Sequence, residues 1–352
     1  MRIGYVLSSE EFGAFELVRQ ARLAEEAGFD GLWISDHFHP WNDAQGHSPL
    51  VWTVIGAIAQ ATARIKLMTA VTCPTVRVHP AIVAHAAATS AVLLEGRFAL
   101  GVGSGEALNE HILGDRWPSA DQRLEMLEES VLVIRTLWQG GTRSHRGRHY
   151  TVENARIYDL PERLPPVIVS GFGPKSTALA ARIGDGYCTT FPDGEAVASF
   201  RAAAGTRKPV LGGMKVCWDQ REDRARTTAR RLWPSEALPG ELAQVLPTPA
   251  HFEQACSLVT EEMVAERVPC GPDLQRHVQA IERYAKAGFD EVYIAQIGDG
   301  HEEFFELYAR EILPRFRDGD QRAGDCSGWT EHAAERPGPV QLRAAPDIDG
   351  RS

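Results

Sequence analysis

The sequence of 352 residues contains no block of Lys or Arg, and its formal net charge is -10. The cationic footprint that nucleic-acid binding requires is therefore missing. An uninterrupted apolar run long enough to cross a bilayer is missing too. The most apolar long segment, residues 79–94, is broken by His85, Thr89 and Ser90 and reads as a packed helix rather than a membrane span. The six cysteines, Cys73, Cys188, Cys217, Cys256, Cys270 and Cys326, are scattered, with no pair at zinc, redox or disulfide-framework spacing. No basic region followed by an apolar core precedes the first strand, MRIGYVL (residues 1–7), which predicts a cytoplasmic protein. These absences point to a small molecule as the partner.

What is present is a regular alternation. Apolar runs of strand length fall near residues 3–8, 31–35, 66–72, 98–102, 166–170, 186–189, 209–216 and 291–297, with amphipathic segments of helix length between them. Eight such units predict an α/β fold, a closed (β/α)8 TIM barrel. A hydrophobic content of 43% suffices for one large core. Helices over 15–27 and 273–287 stop at Gly28 and Gly288, each suited to a left-handed C-cap. The phrase AEEAGFD (24–30) returns as YAKAGFD (284–290), so the same helix-to-strand turn opens and closes the barrel. Two stretches break the rhythm: a hairpin expected from 145–152 with 155–159, and a helical excursion over 231–265. Such rim insertions shape substrate pockets. The barrel is assigned to residues 1–317. Residues 318–352 lose apolar periodicity and are expected to be disordered and to carry no catalytic residue.

The chemistry concentrates at strand ends, where barrel enzymes keep it. ISDHFHPW (34–41) sets Asp36, His37 and Trp41 after the second strand. His37 can act as a general base near neutral pH or serve only in packing; Asp36 can hold its ring, bind a cofactor or cap a turn. His37, His39 and His47 lack any metal-ligand spacing, so no metal is predicted. GVGSGEALN (101–109) departs from the dinucleotide fingerprint. Its glycines would let a flat ring approach the backbone, with Glu106 and Asn109 at the ring edge; a lone Glu there can equally favour a helix N-terminus. SGFGPKS (170–176) is either a phosphate-binding helix start or a plain tight turn.

In order and at the right strands, SDHFHPW (35–41), GVGSGEALNE (101–110), SGFGP (170–174) and IGDGY (183–187) resemble the bacterial luciferase-like superfamily. Within it they are similar to the coenzyme F420-dependent glucose-6-phosphate dehydrogenase group, over residues 2–317. The resemblance implies a barrel that binds a deazaflavin at its C-terminal mouth, as a homodimer. It implies that His37 is the base on the substrate hydroxyl, Trp41 packs near the reacting carbon and Glu106 donates a proton to the reduced ring. It implies cofactor contacts at Asp36, Cys73, Gly105, Asn109 and the Gly171, Phe172, Gly173 turn, with a non-prolyl cis peptide at Ala70-Val71 behind the ring. Glu10 and Thr190 would face the substrate.

The departures concern the phosphate clamp of that group. Its two lysines and one arginine align with Asp193, Gln254 and Arg267, so an acid replaces a cation and only the arginine survives. The expected activity is therefore F420-dependent hydride transfer to or from an unphosphorylated alcohol or sugar-like substrate, not oxidation of glucose-6-phosphate. An FMN-dependent monooxygenase of the wider superfamily and a non-catalytic flavin-binding barrel are the alternatives.

Overall fold

Each of the eight expected apolar runs lies in a parallel strand of a computed structural model that describes residues 1–317. In chain order the strands are β1 (Arg2–Leu7), β2 (Gly31–Ile34), β3 (Lys66–Thr69), β4 (Phe98–Val102), β5 (Arg143–Arg146), β6 (Thr151–Ala155), β7 (Val167–Ser170), β8 (Gly186–Thr189), β9 (Val210–Val216) and β10 (Glu291–Gln296). All but β5 and β6 close a barrel in the order β1-β10-β9-β8-β7-β4-β3-β2. Closure runs through β1, which pairs Tyr5 with Ile294 on one side and Leu7 with Ile34 on the other.

Side chains alternate across each strand. One set faces the surrounding helices, as Tyr5 does where it packs on Phe29, Phe304 and Phe305. The other set fills the interior with Trp33, Met68, Ala99, Ile168, Cys188, Leu211 and Tyr293. Trp33 and Tyr293 stack with centroids 4.5 Å apart. They fit because Gly4 and Gly213 face them: a Cβ at Gly213 would sit 2.6 Å from the Trp33 ring and one at Gly4 2.2 Å from Tyr293. The barrel is thus plugged below its mouth, and any ligand must bind above this layer.

The repeated phrase does form the same turn twice. Gly28 and Gly288 adopt φ of 87° and 90°, and the next residue donates back to the helix in both cases, Phe29 N–H to Ala24 O and Phe289 N–H to Tyr284 O. The insertions differ from expectation in detail. The hairpin uses 143–146 and 151–155, not 145–152 and 155–159. Its turn is fixed by Glu129, whose carboxylate accepts the N–H groups of Arg148, His149 and Tyr150, while Ile157 is buried in the main core. The excursion begins earlier, with helix Glu222–Leu232, and continues through Pro249–Ala255 and Glu261–Ala265. It has its own small core around Trp233, Cys256, Val264 and Ile297, against which Trp41 packs. Residues 318–352, expected to be disordered, lie outside the described residues. No helix among the described residues is long and apolar enough to cross a membrane.

Candidate active site

Continuing the interior-facing parity of β2 beyond Trp33 brings Ser35 and His37 to the mouth, and continuing that of β9 beyond Leu211 and Gly213 brings Lys215 there. His37 is the centre of the site. Its Nδ1 lies 3.2 Å from the His39 carbonyl. A carbonyl only accepts, so Nδ1 carries the proton in this contact and Nε2 is the nitrogen left to exchange one. Two carboxylates flank Nε2: Glu10 Oε1 at 3.4 Å and Glu106 Oε1 at 3.7 Å. Trp41 lies against the same ring, with centroids 5.1 Å apart.

Glu10 is buried, and burial alone would raise its carboxyl. The facing His37 and the hydroxyls of Ser35 and Ser8, which donate to Oε2 at 2.7 and 3.0 Å, outweigh that and hold it below its ordinary value. Glu106 is fixed by Asn109, whose Nδ2 donates to Oε1 at 2.6 Å. The Oδ1 of the same Asn109 accepts the N–H groups of Phe38 and His39 at 2.7 and 2.9 Å. One side chain thereby locks the acid of the β4 loop to the histidine of the β2 loop. Asn109, expected as a cofactor contact, is 1% exposed and acts on the protein's own loops.

Asp36 follows the same pattern. Its oxygens accept from Thr72 at 2.8 Å and Arg77 at 3.0 Å, and Arg77 also reaches Glu110 at 3.4 Å. This buried Asp36–Arg77–Glu110 set ties together the loops after β2, β3 and β4. Burial pushes the Glu110 carboxyl up to about 7 despite Arg77. Arg77 and Glu110 were not singled out by the sequence reading, although Glu110 ends the GVGSGEALNE motif.

The Ala70-Val71 peptide is cis, as the resemblance implied. Both residues are partly exposed, as are Ser104, Gly105 and Glu106 opposite them. The glycines of β4 meet this segment: a Cβ on Gly101 would lie 1.9 Å from Thr69 O, one on Gly103 2.7 Å from Val71 and one on Gly105 2.5 Å from Cys73 Sγ. Their smallness thus first serves the close approach of β3 and β4, not only that of a ring. Cys73 is buried with its thiol pushed well above the ordinary value by that burial, then by the charge of Glu110. In the SGFGP turn, the N–H groups of Phe172 and Gly173 both donate to Ser176 Oγ, Gly171 is buried, and Phe172 is exposed beside Phe191.

The three positions aligned with the phosphate clamp do not form a cluster of side-chain charge. Asp193 is an N-cap, its Oδ1 accepting from Glu195 and Ala196. Gln254 is exposed on the helix whose Phe252 packs on Trp41. Arg267 donates to the backbone carbonyl of Glu236 at 2.8 Å. Thr190 is exposed at the end of β8. A cation the sequence reading missed is Lys215, which pairs with Glu236 at 2.7 Å and lies 4.1 Å over the Trp233 ring. Trp233 in turn donates to Glu11, the neighbour of Glu10.

This barrel and mouth define a class, and comparison with known proteins bears it out. Residues 1–291 match the family model of luciferase-like monooxygenases, and the chain belongs to that family. Among curated relatives, a protein of Microbacterium testaceum named F420-dependent glucose-6-phosphate dehydrogenase is 37% identical, over 90% of this chain and 98% of its own. One of the same name from Nakamurella multipartita is also 37% identical, over 90% of this chain and 97% of its own. Among solved structures, an F420-dependent secondary alcohol dehydrogenase in complex with an F420-acetone adduct is 30% identical, with a TM-score of 0.83, covering 90% of this chain and 99% of its own.

Proposed function

We propose that this protein is an F420-dependent oxidoreductase that moves a hydride between the carbinol carbon of an unphosphorylated alcohol or sugar-like substrate and the deazaflavin. The observation that supports this best is His37 Nε2 set between two carboxylates at the mouth of a plugged barrel. The names of the relatives and of the structural neighbour support the coenzyme and an alcohol substrate. The residues present fit a flat ring: a partly exposed wall of Ala70 and Val71 faces Ser104 to Glu106, and Trp33 keeps a buried Nε1–H with no partner among the described residues.

When bound, the deazaflavin supplies the hydride acceptor. The chain supplies position and proton management. His37 Nε2 takes the hydroxyl proton as the C–H bond breaks, and Glu10 stabilises the resulting imidazolium. Ser8 and Ser35 keep Glu10 ionised and oriented. Glu106, held by Asn109, keeps a carboxyl within reach of the same histidine and can pass a proton at the opposite side of the mouth. In the reverse direction the same groups serve a carbonyl reduction. Trp41, backed by the buried Phe252, walls the substrate side, and the preference for an unphosphorylated substrate is supported by the missing lysines and by Lys215 being neutralised.

The test is titration of the apo-protein with F420 and with FMN, followed by tryptophan quenching. Much tighter F420 binding is expected; equal affinity would favour a flavin monooxygenase and sink the proposal. His37→Ala should then lower alcohol oxidation by roughly 10²–10⁴-fold with coenzyme affinity unchanged. Undiminished turnover would return His37 to a packing role.

A further inference from the structure

We propose that Glu236 sets the charge preference of the barrel mouth: by neutralising Lys215 it turns away anionic substrates, and without it the same place accepts an anion. This deepens the reading of the mouth as the substrate site and rests on it.

Lys215 is an unusual residue for its place. It lies in β9, an otherwise apolar strand, on the side that carries Leu211 and Gly213 into the barrel interior. A cation there needs a partner or a ligand. Its Nζ is 2.7 Å from Glu236 Oε1, and its side chain is held over the Trp233 ring at 4.1 Å. The ring contact does not depend on the carboxylate, so Lys215 stays in position if Glu236 loses its charge. Arg267 behaves likewise. It is bound by the backbone carbonyl of Glu236, not by the side chain, so a substitution at 236 leaves its anchor in place. Two cations thus converge on residue 236, and its carboxylate offsets the one it pairs with, Lys215.

The connection to the reacting centre is short. Trp233, under Lys215, donates through Nε1 to Glu11, and adjacent Glu10 faces His37. In this proposal the far end of a substrate whose hydroxyl meets His37 is on the side of the mouth where Lys215 and Glu236 lie. With Glu236 ionised, an anionic far end meets a pair whose charges offset each other. With Glu236 removed, it meets a preplaced ammonium.

Inorganic phosphate and glucose-6-phosphate are the probes, and tryptophan fluorescence of the full chain is the readout because Trp233 lies under the ammonium. Glu236→Gln keeps the side-chain shape, and Glu236→Leu removes all polarity. Both should bind phosphate at least tenfold more tightly than the wild type, in line with removing a neighbouring negative charge near the surface. The double variant Lys215→Met with Glu236→Gln should fall back to the wild-type level. With coenzyme present, the KM for glucose-6-phosphate should fall in the single variants while that for unphosphorylated glucose does not.

No gain in phosphate affinity in either natively folded single variant overturns the proposal, as does a gain that survives Lys215→Met. If no alcohol reduces the coenzyme in any variant, the functional reading fails on its own, and the phosphate titration still decides what Glu236 does.

Discussion

Glu11→Gln should reverse the sign of its effect on stability between pH 5 and pH 8. Glu11 is buried, and burial pushes its carboxyl from 4.5 up to about 7 even though Gly298 N–H and Trp233 Nε1–H donate to its oxygens. The folded protein therefore keeps a proton that the unfolded chain releases above about 4.5. This group's stabilising contribution is complete below that pH and is lost as pH rises through about 7. At ~1.36 kcal/mol for each pH unit across the interval, the loss amounts to ~3 kcal/mol. Glutamine does not titrate, so it is free of that loss. It does sacrifice one acceptor, because its NH2 only donates and replaces one of the two oxygens that accept from Trp233 and Gly298, which costs about 1 kcal/mol. The wild type has already lost ~0.7 kcal/mol of this between 4.5 and pH 5, so the variant should be less stable near pH 5 by only ~0.3 kcal/mol and more stable near pH 8 by roughly 2 kcal/mol. Urea unfolding of both proteins at pH 5, 6, 7 and 8 measures the gap. A gap that stays constant to within ~0.5 kcal/mol would refute the reasoning, because it would mean that Glu11 has the same proton occupancy folded and unfolded.

Two further outcomes follow from the same structure. Arg77→Met leaves Asp36 and Glu110 buried without their cation and should cost about 3–5 kcal/mol. Glu110 can take up a proton near pH 7, so the drop in melting temperature should be larger at pH 8 than at pH 6, and an equal drop at both would count against the buried triad. A homodimer is the state expected from the resemblance, and helix Pro80–Leu93 exposes Ile82, Val92 and Leu93. Light scattering should return twice the chain mass; a monomer at micromolar concentration would overturn that expectation.

The barrel was legible because its signals are local and repeated. Strand-length apolar runs and the AGFD turn depend on residues close in sequence, and the two glycine C-caps recur with the same hydrogen bond. His37, Glu106 and Trp41 were legible for a different reason, that strand ends of a barrel converge on one mouth. What a sequence does not display is which polar side chains find one another across loops. Asn109 is separated from His39 by seventy residues, and Arg77 from Asp36 by forty-one. Both looked like free polar groups available to a ligand or went unremarked, yet they fix the loops that hold His37.

The phosphate clamp shows where reading by position alone goes astray. Substituting Asp193 and Gln254 for lysines identifies a loss of positive charge, and the structure adds that Asp193 caps a helix, so its carboxylate has a local partner. The ion pair to which we assign the charge of the mouth is Lys215 with Glu236, twenty-one residues apart, one in a strand and one in a short turn of the excursion. A lysine at interior parity in VLGGMKV was the available signal, since such a residue requires a counter-charge or a ligand. Its partner could not be read, because the excursion that supplies Glu236 follows no barrel periodicity. The proposed specificity pair therefore depends on the segment whose structure is least predictable from pattern, and the proposed reacting groups lie in the segments most predictable from it.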